Sequence, residues 1–202
     1  CGAGIDLIPH QLYIADTVAA RYVPRVMLSD QVGLGKTIEA LLILKKLIVS
    51  RRAKSILIIV PEHLVMQWFG ELYHRVNLVF SVIDEQYCLE EQKKDPAFNP
   101  FNERQFCICS YSVFKAFSGL RELSLEKEWD MVVIDEVHNI RQASEEYGFF
   151  NILARQTPGL MLLTAIPEFP NLEDFFARLH LVDPVFYDKY EQAELWGKDL
   201  YQ

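Results

Sequence analysis

Short apolar runs alternate with longer amphipathic stretches along this chain. The runs are Arg25–Ser29, Ser55–Val60, Val79–Ile83, Phe106–Ser110, Met131–Ile134 and Gly159–Leu163. Apolar residues recur at helical spacing over Gln11–Tyr22, Thr37–Ser50, Glu62–Val76, Ser112–Ser118, Ser144–Gln156 and Leu172–Leu179. Nearly continuous apolar runs are typical of strands covered on both faces, and their alternation with helices indicates a parallel sheet. We predict an α/β fold with helices on both faces of a mostly parallel sheet. The polar residues 89–104 predict a loop, with at most a short helix.

The charges are distributed unevenly. The 202 residues include 20 basic and 28 acidic side chains, for a net charge of −8. Residues 1–60 carry 8 basic and 4 acidic side chains, whereas residues 168–202 carry 3 and 8. This balance argues against a protein whose whole surface binds nucleic acid, although it leaves room for a local groove. We therefore expect nucleic-acid binding by this chain alone to be weak.

The cysteines and the apolar runs limit further which class of protein this sequence can be. The four cysteines, at positions 1, 88, 107 and 109, form no CxxC pair, which argues against structural zinc and favours small core residues. The sequence has neither a signal peptide nor an apolar run of the ~20 residues that a membrane span needs. We expect a cytoplasmic protein with no membrane partner. Because the chain begins with Cys, we also expect one domain (1–202) of a longer protein, with an acidic helical segment at 168–202.

A candidate phosphate-binding loop follows the first predicted strand. Two glycines permit positive φ, so backbone N–H groups and the next helix N-terminus can face phosphate oxygens. A lysine could neutralise the β- and γ-phosphates of ATP, and a threonine hydroxyl could bind Mg²⁺. Asp30 stands where the usual pattern has its first glycine, so the strict motif fails while the strand–loop–helix context matches. The alternative is a turn of structural importance only. The candidate residues are Asp30, Gly33, Leu34, Gly35, Lys36 and Thr37.

Two carboxylates follow the predicted strand at 131–134. Asp135 is suited to bind Mg²⁺, and Glu136 could orient or deprotonate a water molecule. The pair could instead be a solvated turn before a helix, where acidic residues are favoured. His138 could couple to this site or simply pack at a helix start. The phosphate loop upstream favours the catalytic interpretation, with Lys36, Asp135 and Glu136 as the catalytic set.

These motifs occur in a characteristic order with several others. Gln11 precedes the phosphate loop, the segment from Pro61 to Trp68 follows the second strand, and Ser110 with Tyr111 follows another strand. Thr164-Ala165-Ile166-Pro167 follows the last. Together they resemble the SWI/SNF-type translocases of the superfamily-two helicase-like ATPases. The stretches IPHQLYIAD, DQVGLGKTIEA, LIIVPEHL, NPFN and ICS resemble a bacterial branch of that family that associates with RNA polymerase and promotes its recycling.

The resemblance implies a three-layer RecA-like P-loop lobe that binds ATP and Mg²⁺. It implies that Gln11 reads the adenine edge, and that His138, Thr164 and Ala165 couple hydrolysis to lobe movement. It also implies partners: RNA polymerase, and double-stranded DNA or a DNA/RNA hybrid. The implied nucleic-acid residues are Pro61, His63, Gln67, Ser110 and Tyr111.

Some features depart from the family pattern. Ile166 replaces the second threonine of the TATP motif, and Val137 replaces an alanine, which is a tolerable apolar change. The family's second RecA-like lobe, which supplies arginine fingers, has no counterpart in these 202 residues. Since loss of an arginine finger commonly lowers turnover by about 10³–10⁵, we expect the chain alone to be nearly inactive.

Two other functions remain open at this level. A small P-loop kinase would leave Gln11, Pro61 and Thr164 unexplained. An interaction module that binds nucleotide without hydrolysis and docks on a protein partner is compatible with the acidic surplus after residue 61. Trp68 shares a helical stripe with Leu64 and Leu72, so we interpret it as a core residue in preference to a base-stacking one.

Overall fold

The computed structural model describes residues 8–30, 35–117, 119–142, 144–165 and 172–188. Its centre is a six-stranded sheet in the order β1-β6-β5-β2-β4-β3, and every neighbouring pair is parallel. The predicted α/β class and the parallel sheet are therefore confirmed. The strands are β1 (Arg25–Asp30), β2 (Ile56–Val60), β3 (Ser81–Ile83), β4 (Phe106–Ser110), β5 (Met131–Ile134) and β6 (Gly159–Ala165).

Nine α-helices lie within the described residues, and they connect or follow the strands. They are α1 (Pro9–Ala20), α2 (Lys36–Val49), α3 (Val65–Val76), α4 (Glu85–Lys94), α5 (Tyr111–Ala116), α6 (Leu120–Leu125), α7 (Glu145–Gln156), α8 (Leu172–Val182) and α9 (Pro184–Asp188). Short 3₁₀ turns at Glu62–Leu64 and Val137–Asn139 follow β2 and β5.

Two apolar layers cover the sheet, one on each face. Alternate residues of β2 divide between them: Ile56 and Ile58 pack with α1, α2 and α3, whereas Leu57 and Ile59 pack with α5 and α7. Every residue of β2 is buried. The continuous apolar run thus reflects a strand that lies between two layers of helices, as the sequence pattern predicted.

Side-chain caps define several helix starts. Asp84 accepts a hydrogen bond from the Tyr87 N–H and begins α4, and Ser110 accepts one from the Val113 N–H and begins α5. Such caps satisfy N–H groups that have no partner inside the helix. We predicted a loop with at most a short helix at residues 89–104. Helix α4 begins earlier, at Glu85, because its cap is Asp84.

Element bounds differ from the predictions in a few places. Strand β3 is shorter than the apolar run, since residues 79 and 80 precede it. The helix predicted over Glu62–Val76 divides into a 3₁₀ turn and α3, and the one over Leu172–Leu179 extends to Val182. Helices α6 and α9 had no predicted counterpart because each is a single turn or little more, too short to show a period.

No helix of the described residues combines the length and apolarity needed to cross a membrane. The acidic segment at 168–202 stays a prediction, because within it the structure describes residues 172–188 alone.

Three cysteines, Cys88, Cys107 and Cys109, lie in the apolar layer on the face of the sheet that packs against α5 and α7. Burial raises the pKa of Cys88 to about 11 and that of Cys107 to about 12, and it raises the pKa of Cys109 well above its usual value. Because the reactive species is the thiolate, these thiols are expected to be inert near neutral pH. Their burial agrees with the interpretation of Cys107 and Cys109 as core residues.

We expect iodoacetamide to alkylate each of these three thiols at pH 8 at least about 100-fold more slowly in the native protein than in urea, since the thiolate fraction falls about tenfold per unit of raised pKa. The Cys1→Ser variant should be used, because Cys1 lies outside the described residues. The native rate should rise with pH towards pH 10. Equal native and unfolded rates at pH 8 would show that the thiols are accessible.

Candidate nucleotide site

The sheet topology brings the candidate motifs to one edge. Because all six strands are parallel, the segments that follow them meet at the carboxyl edge of the sheet, where ligands of such folds bind. β6 lies between β1 and β5, so Thr164 stands between the phosphate loop and the acidic pair. The segments after β2 and β4 come next along the same edge.

The end of the phosphate loop is described from Gly35 onward. Gly35 has a φ of 97° and immediately precedes α2, the conformation expected of a loop glycine. A Cβ atom built on it would clash with Nε2 of Gln11, the end of a flexible side chain, so the positive φ is the stronger reason for glycine here. Gly33 and Leu34 lie outside the described residues. Asp30 ends β1 in register with Ala165, and its side chain is not described.

Gln11 lies beside this loop. Its side chain is only 1% exposed and contacts Gly35. Its role as an adenine-binding residue stays a prediction. What the structure adds is that helix α1 packs its glutamine directly on the glycine that precedes Lys36. The loop and α1 are therefore in direct contact.

Asp135 is the best-defined residue of the site. It is 7% exposed, and its two carboxylate oxygens accept hydrogen bonds from different donors. Oδ2 accepts from Trp68 Nε1 at 2.8 Å, and Oδ1 accepts from the Glu136 N–H at 2.8 Å. Burial raises the pKa of Asp135 from its usual value, while these hydrogen bonds and the charge of Lys36 act in the opposite direction. These two hydrogen bonds fix the orientation of the carboxylate.

Glu136 occupies an uncommon backbone conformation. Its φ is 50° and its ψ is 43°, a left-handed geometry that costs energy for a residue with a Cβ. Its Oε2 lies 3.0 Å from Nδ1 of the half-exposed His138. The turn therefore redirects the chain so that Glu136 lies beside His138, close to the buried Asp135.

A cleft of about 300 Å³ connects the two motifs. It is lined by Lys36 and Thr37 from the start of α2 and by Asp135 and Glu136 after β5. The third wall comes from Leu64 and from helix α3, whose residues Gln67, Trp68, Glu71 and Arg75 line it. Gly35 also lines it, so five residues predicted to bind nucleotide or Mg²⁺ share one cleft, and Gln67 joins them there.

The residues present fit a magnesium ion of the kind that binds with a nucleotide. Mg²⁺ usually takes one or two carboxylates, retains several waters and draws further oxygens from phosphate. The cleft offers the Asp135 carboxylate and the Thr37 hydroxyl. Within the described ranges no group of three or more His, Cys, Asp or Glu side chains could hold a metal. The remaining ligands would therefore have to come from phosphate and water.

An arginine that the sequence analysis did not single out supports the acidic turn. Arg178 of α8 is 1% exposed, and its guanidinium donates to the carbonyl oxygens of Val137, His138 and Ile140 at 2.8–3.2 Å. It also donates to the carbonyl oxygen of Asp174, one turn earlier in its own helix. The signal that could have revealed it is a charged residue on the apolar face of a helix that follows the last strand.

The segments after β2 and β4 are joined by side-chain hydrogen bonds. The Ser112 hydroxyl donates to the Glu62 carboxylate, and its oxygen lies 2.7 Å from that of Ser110. Hydrogen bonds from Ser110 and Ser112 lower the pKa of Glu62. The chain thus places an ionised carboxylate among the predicted nucleic-acid residues, next to Pro61.

The predicted nucleic-acid residues differ in accessibility. His63 and Gln67 are exposed, whereas Ser110 is buried and its hydroxyl caps α5. The Tyr111 hydroxyl donates to the carbonyl oxygen of Asp135 at 2.5 Å. Burial, together with nearby carboxylates, raises the pKa of Tyr111 well above its usual value, so the hydroxyl keeps its proton and its hydrogen bond. Tyr111 therefore links the end of β4 to the acidic pair.

Thr164 is buried near the end of β6. Its Oγ1 makes no hydrogen bond within the described residues, and Ser29 of β1 is its register partner. Ala165 ends the strand and is partly exposed. Ile166 and Pro167 lie outside the described residues. The coupling role of Thr164, Ala165 and His138 stays a prediction.

Comparison with known proteins identifies the family. Residues 18–202 match the SNF2-related domain. The RNA polymerase-associated protein RapA of Vibrio parahaemolyticus is 48% identical over 193 residues, which cover 93% of this chain and 20% of that protein. RapA of Photobacterium profundum is 45% identical with the same coverage. The chain thus spans about a fifth of the length of these relatives.

Solved structures agree on the fold. The Sulfolobus solfataricus SWI2/SNF2 ATPase core, solved in complex with dsDNA, superposes with a TM-score of 0.74 at 20% identity, over 93% of this chain and 38% of that one. The Pyrococcus furiosus Hef helicase domain gives 0.64 at 15% identity, over 86% and 35%. Both support the RecA-like arrangement predicted from the motifs. Because the match to the SNF2-related domain covers residues 18–202, most of this chain, the chain belongs to the SNF2-related domain family.

Proposed function

We propose that this chain is the ATP-binding lobe of a SWI/SNF-type nucleic-acid translocase that acts with RNA polymerase. One observation carries the proposal: Lys36, after β1, and Asp135, after β5, line a single cleft although 99 residues separate them in the sequence. A positive side chain and a fixed carboxylate at the carboxyl edge of a parallel sheet are what MgATP requires.

Each site residue then has a definite task. The backbone of Gly35 and the N-terminus of α2 face the phosphates, and Lys36 neutralises their charge. Thr37 and Asp135 hold Mg²⁺, which when bound neutralises charge on the β- and γ-phosphate oxygens. Glu136 orients the attacking water and accepts its proton, and its contact with His138 restricts the carboxylate. Asp30, Gly33 and Leu34 would help to bind the phosphates, and Gln11 would contact the adenine.

The partners follow from the relatives. Proteins named for their association with RNA polymerase are 45–48% identical to this chain, which supports RNA polymerase as a partner and a cytoplasmic location. The archaeal neighbour was solved with dsDNA, which supports a duplex as the substrate. The exposed His63 and Gln67 would contact its phosphates, together with the backbone around Pro61, Ser110 and Tyr111. Such contacts do not read sequence.

The alternative is an interaction module that keeps nucleotide as a structural ligand. The observation in its favour is the acidic surplus beyond residue 61, which could face a protein partner. The defined carboxylate pair favours hydrolysis, because a structural nucleotide does not need a residue at the position of Glu136 to activate water.

A Lys36→Ala variant is expected to bind MgATP about 10–100-fold more weakly than the unaltered chain, because hydrogen bonds to charged groups contribute about 1.5–3 kcal/mol each. Calorimetric titration measures the change. Lys54→Ala is the matched control, since Lys54 is exposed and its backbone N–H, not its side chain, bonds Asp130.

The same variants separate the two functions in an RNA polymerase pull-down. A translocase lobe should retain polymerase association in Lys36→Ala while losing MgATP-dependent activity in the full-length protein. Loss of polymerase association together with nucleotide binding would favour the interaction module. MgATP binding that is equally tight in Lys36→Ala and Lys54→Ala would contradict the proposed site.

A further inference from the structure

The hydrogen bond between Trp68 and Asp135 joins two elements that are 67 residues apart in the chain. Trp68 lies on the inner face of α3 with Val65, Leu72 and Val76, and its side chain is 1% exposed. Packing alone would explain the indole ring. It does not explain why its one polar atom meets a buried carboxylate at 2.8 Å.

The partner of this N–H group is a carboxylate that the proposed function assigns to Mg²⁺. A buried indole N–H needs one acceptor, and a backbone carbonyl is sufficient, as Trp129 shows by donating to the Ser124 carbonyl oxygen at 2.9 Å. Trp68 instead donates to Oδ2 of Asp135, while Oδ1 accepts from the Glu136 N–H. Two donors from different elements therefore fix both the position and the plane of the carboxylate. Each oxygen keeps lone-pair capacity for a further partner.

The bond also connects the carboxylate to an exposed helix face. Gln67, Glu71 and Arg75 of α3 line the same cleft as Asp135. Gln67 donates to Glu71, and Arg75 lies 3.6 Å from the same carboxylate, so this face is organised along the helix. A shift of α3 would move the Trp68 N–H and with it the carboxylate.

We propose that Trp68 is a positioning residue: its indole N–H holds the Asp135 carboxylate in the orientation that binds Mg²⁺, and it makes α3 a structural part of the metal site. This inference rests on the proposed function, because it takes Asp135 as the Mg²⁺ ligand. Groups that hydrogen-bond a metal ligand from outside typically change metal affinity or activity by about 10–100-fold when removed.

The test compares Trp68→Phe with Trp129→Phe. Both substitutions keep a buried aromatic ring and remove one indole N–H, but the Trp129 bond ends at a backbone carbonyl away from the cleft. With Mn²⁺ as the probe and a non-hydrolysable ATP analogue present, Trp68→Phe is expected to weaken Mn²⁺ binding by about tenfold or more. Trp129→Phe should leave it unchanged. Equal Mn²⁺ affinity in the two variants would overturn the proposal.

Indole N–H signals in NMR spectra of the unaltered chain give a second readout, in which the Mg²⁺ response is measured on the unaltered protein. The chain has three tryptophans, and the two variants identify two of the signals. Addition of Mg²⁺ to the analogue-bound chain should shift the Trp68 signal and leave that of Trp129 in place. Asp135→Asn should abolish the shift. A Trp68 signal that stays in place while Mg²⁺ binds would refute the positioning role alone, whereas failure of the chain to bind Mg²⁺ and nucleotide at all would refute the proposed function with it.

Discussion

A polypeptide in which this chain is followed by a second RecA-like lobe of the same family is expected to hydrolyse ATP about 10³–10⁵-fold faster than the chain alone. The described cleft contains a lysine, a candidate metal ligand and a candidate base, and the resemblance assigns the arginine finger to a second lobe. An arginine finger from that lobe would stabilise charge on the transferred phosphoryl group. Steady-state release of phosphate, measured with excess MgATP, reports the difference.

Arg75 is the competing source of positive charge, because it lines the cleft within this chain. Its Nε lies 3.6 Å from the Glu71 carboxylate, so part of its charge is already balanced. We expect Arg75→Ala to leave the slow rate of the isolated chain unchanged.

A Glu136→Gln substitution in the two-lobe polypeptide should return hydrolysis to the slow rate of the isolated chain while MgATP still binds. Rapid turnover by the chain alone would contradict the expectation that a second lobe is needed for fast hydrolysis.

The two motifs of the site could be predicted because their chemistry is local in sequence. A loop glycine, a lysine and a threonine are consecutive, and Asp135 directly follows an apolar strand. The parallel sheet then brings the two segments together, since all its strands end at the same edge. This is why Lys36 and Asp135, each of which follows a strand, line a shared cleft in the structure.

The supports of the site could not be predicted in the same way. Trp68 and Arg178 reach their partners across about 67 and 40 residues, and no local pattern encodes such distances. Trp68 fits an apolar helical stripe equally well whether its N–H meets a carbonyl or a carboxylate. Nothing in the sequence predicts the left-handed backbone of Glu136, because a residue with a Cβ does not favour that geometry. Tertiary contacts decide these features.

Net charge was the least informative of the sequence properties. The total of −8 averages over a basic first segment and an acidic remainder. The structure adds an acidic group where nucleic acid would bind, since Glu62 stays ionised through its hydrogen bonds with Ser110 and Ser112. A carboxylate on that edge opposes phosphate binding. We therefore still expect this lobe alone to bind duplex nucleic acid weakly, because both the local charge at Glu62 and the net charge oppose it.

A buried arginine of α8 supports the turn that carries Glu136. Its left-handed backbone stores strain, which persists only where the surrounding structure enforces it. Arg178 donates to three carbonyl oxygens immediately after that residue, from Val137 to Ile140. Burial lowers the pKa of the Arg178 guanidinium, yet an arginine remains charged at neutral pH. The hydrogen bonds from the guanidinium therefore stabilise the strained turn.

Arg178→Met is expected to destabilise the protein by about 3 kcal/mol, because it removes the guanidinium donor from the carbonyl groups of His138 and Ile140 at roughly 1–3 kcal/mol each, whereas Val137 keeps the Ile140 N–H. For a chain of this size the melting temperature should fall by roughly 6–12 °C. Arg52→Met is the matched control: Arg52 also donates to backbone carbonyls, those of Ala19 and Arg21, but it is exposed. Water can replace its hydrogen bonds, so its loss should lower stability by less than about 1 kcal/mol. Equal melting temperatures for the two variants would show that the acidic turn holds its geometry without Arg178.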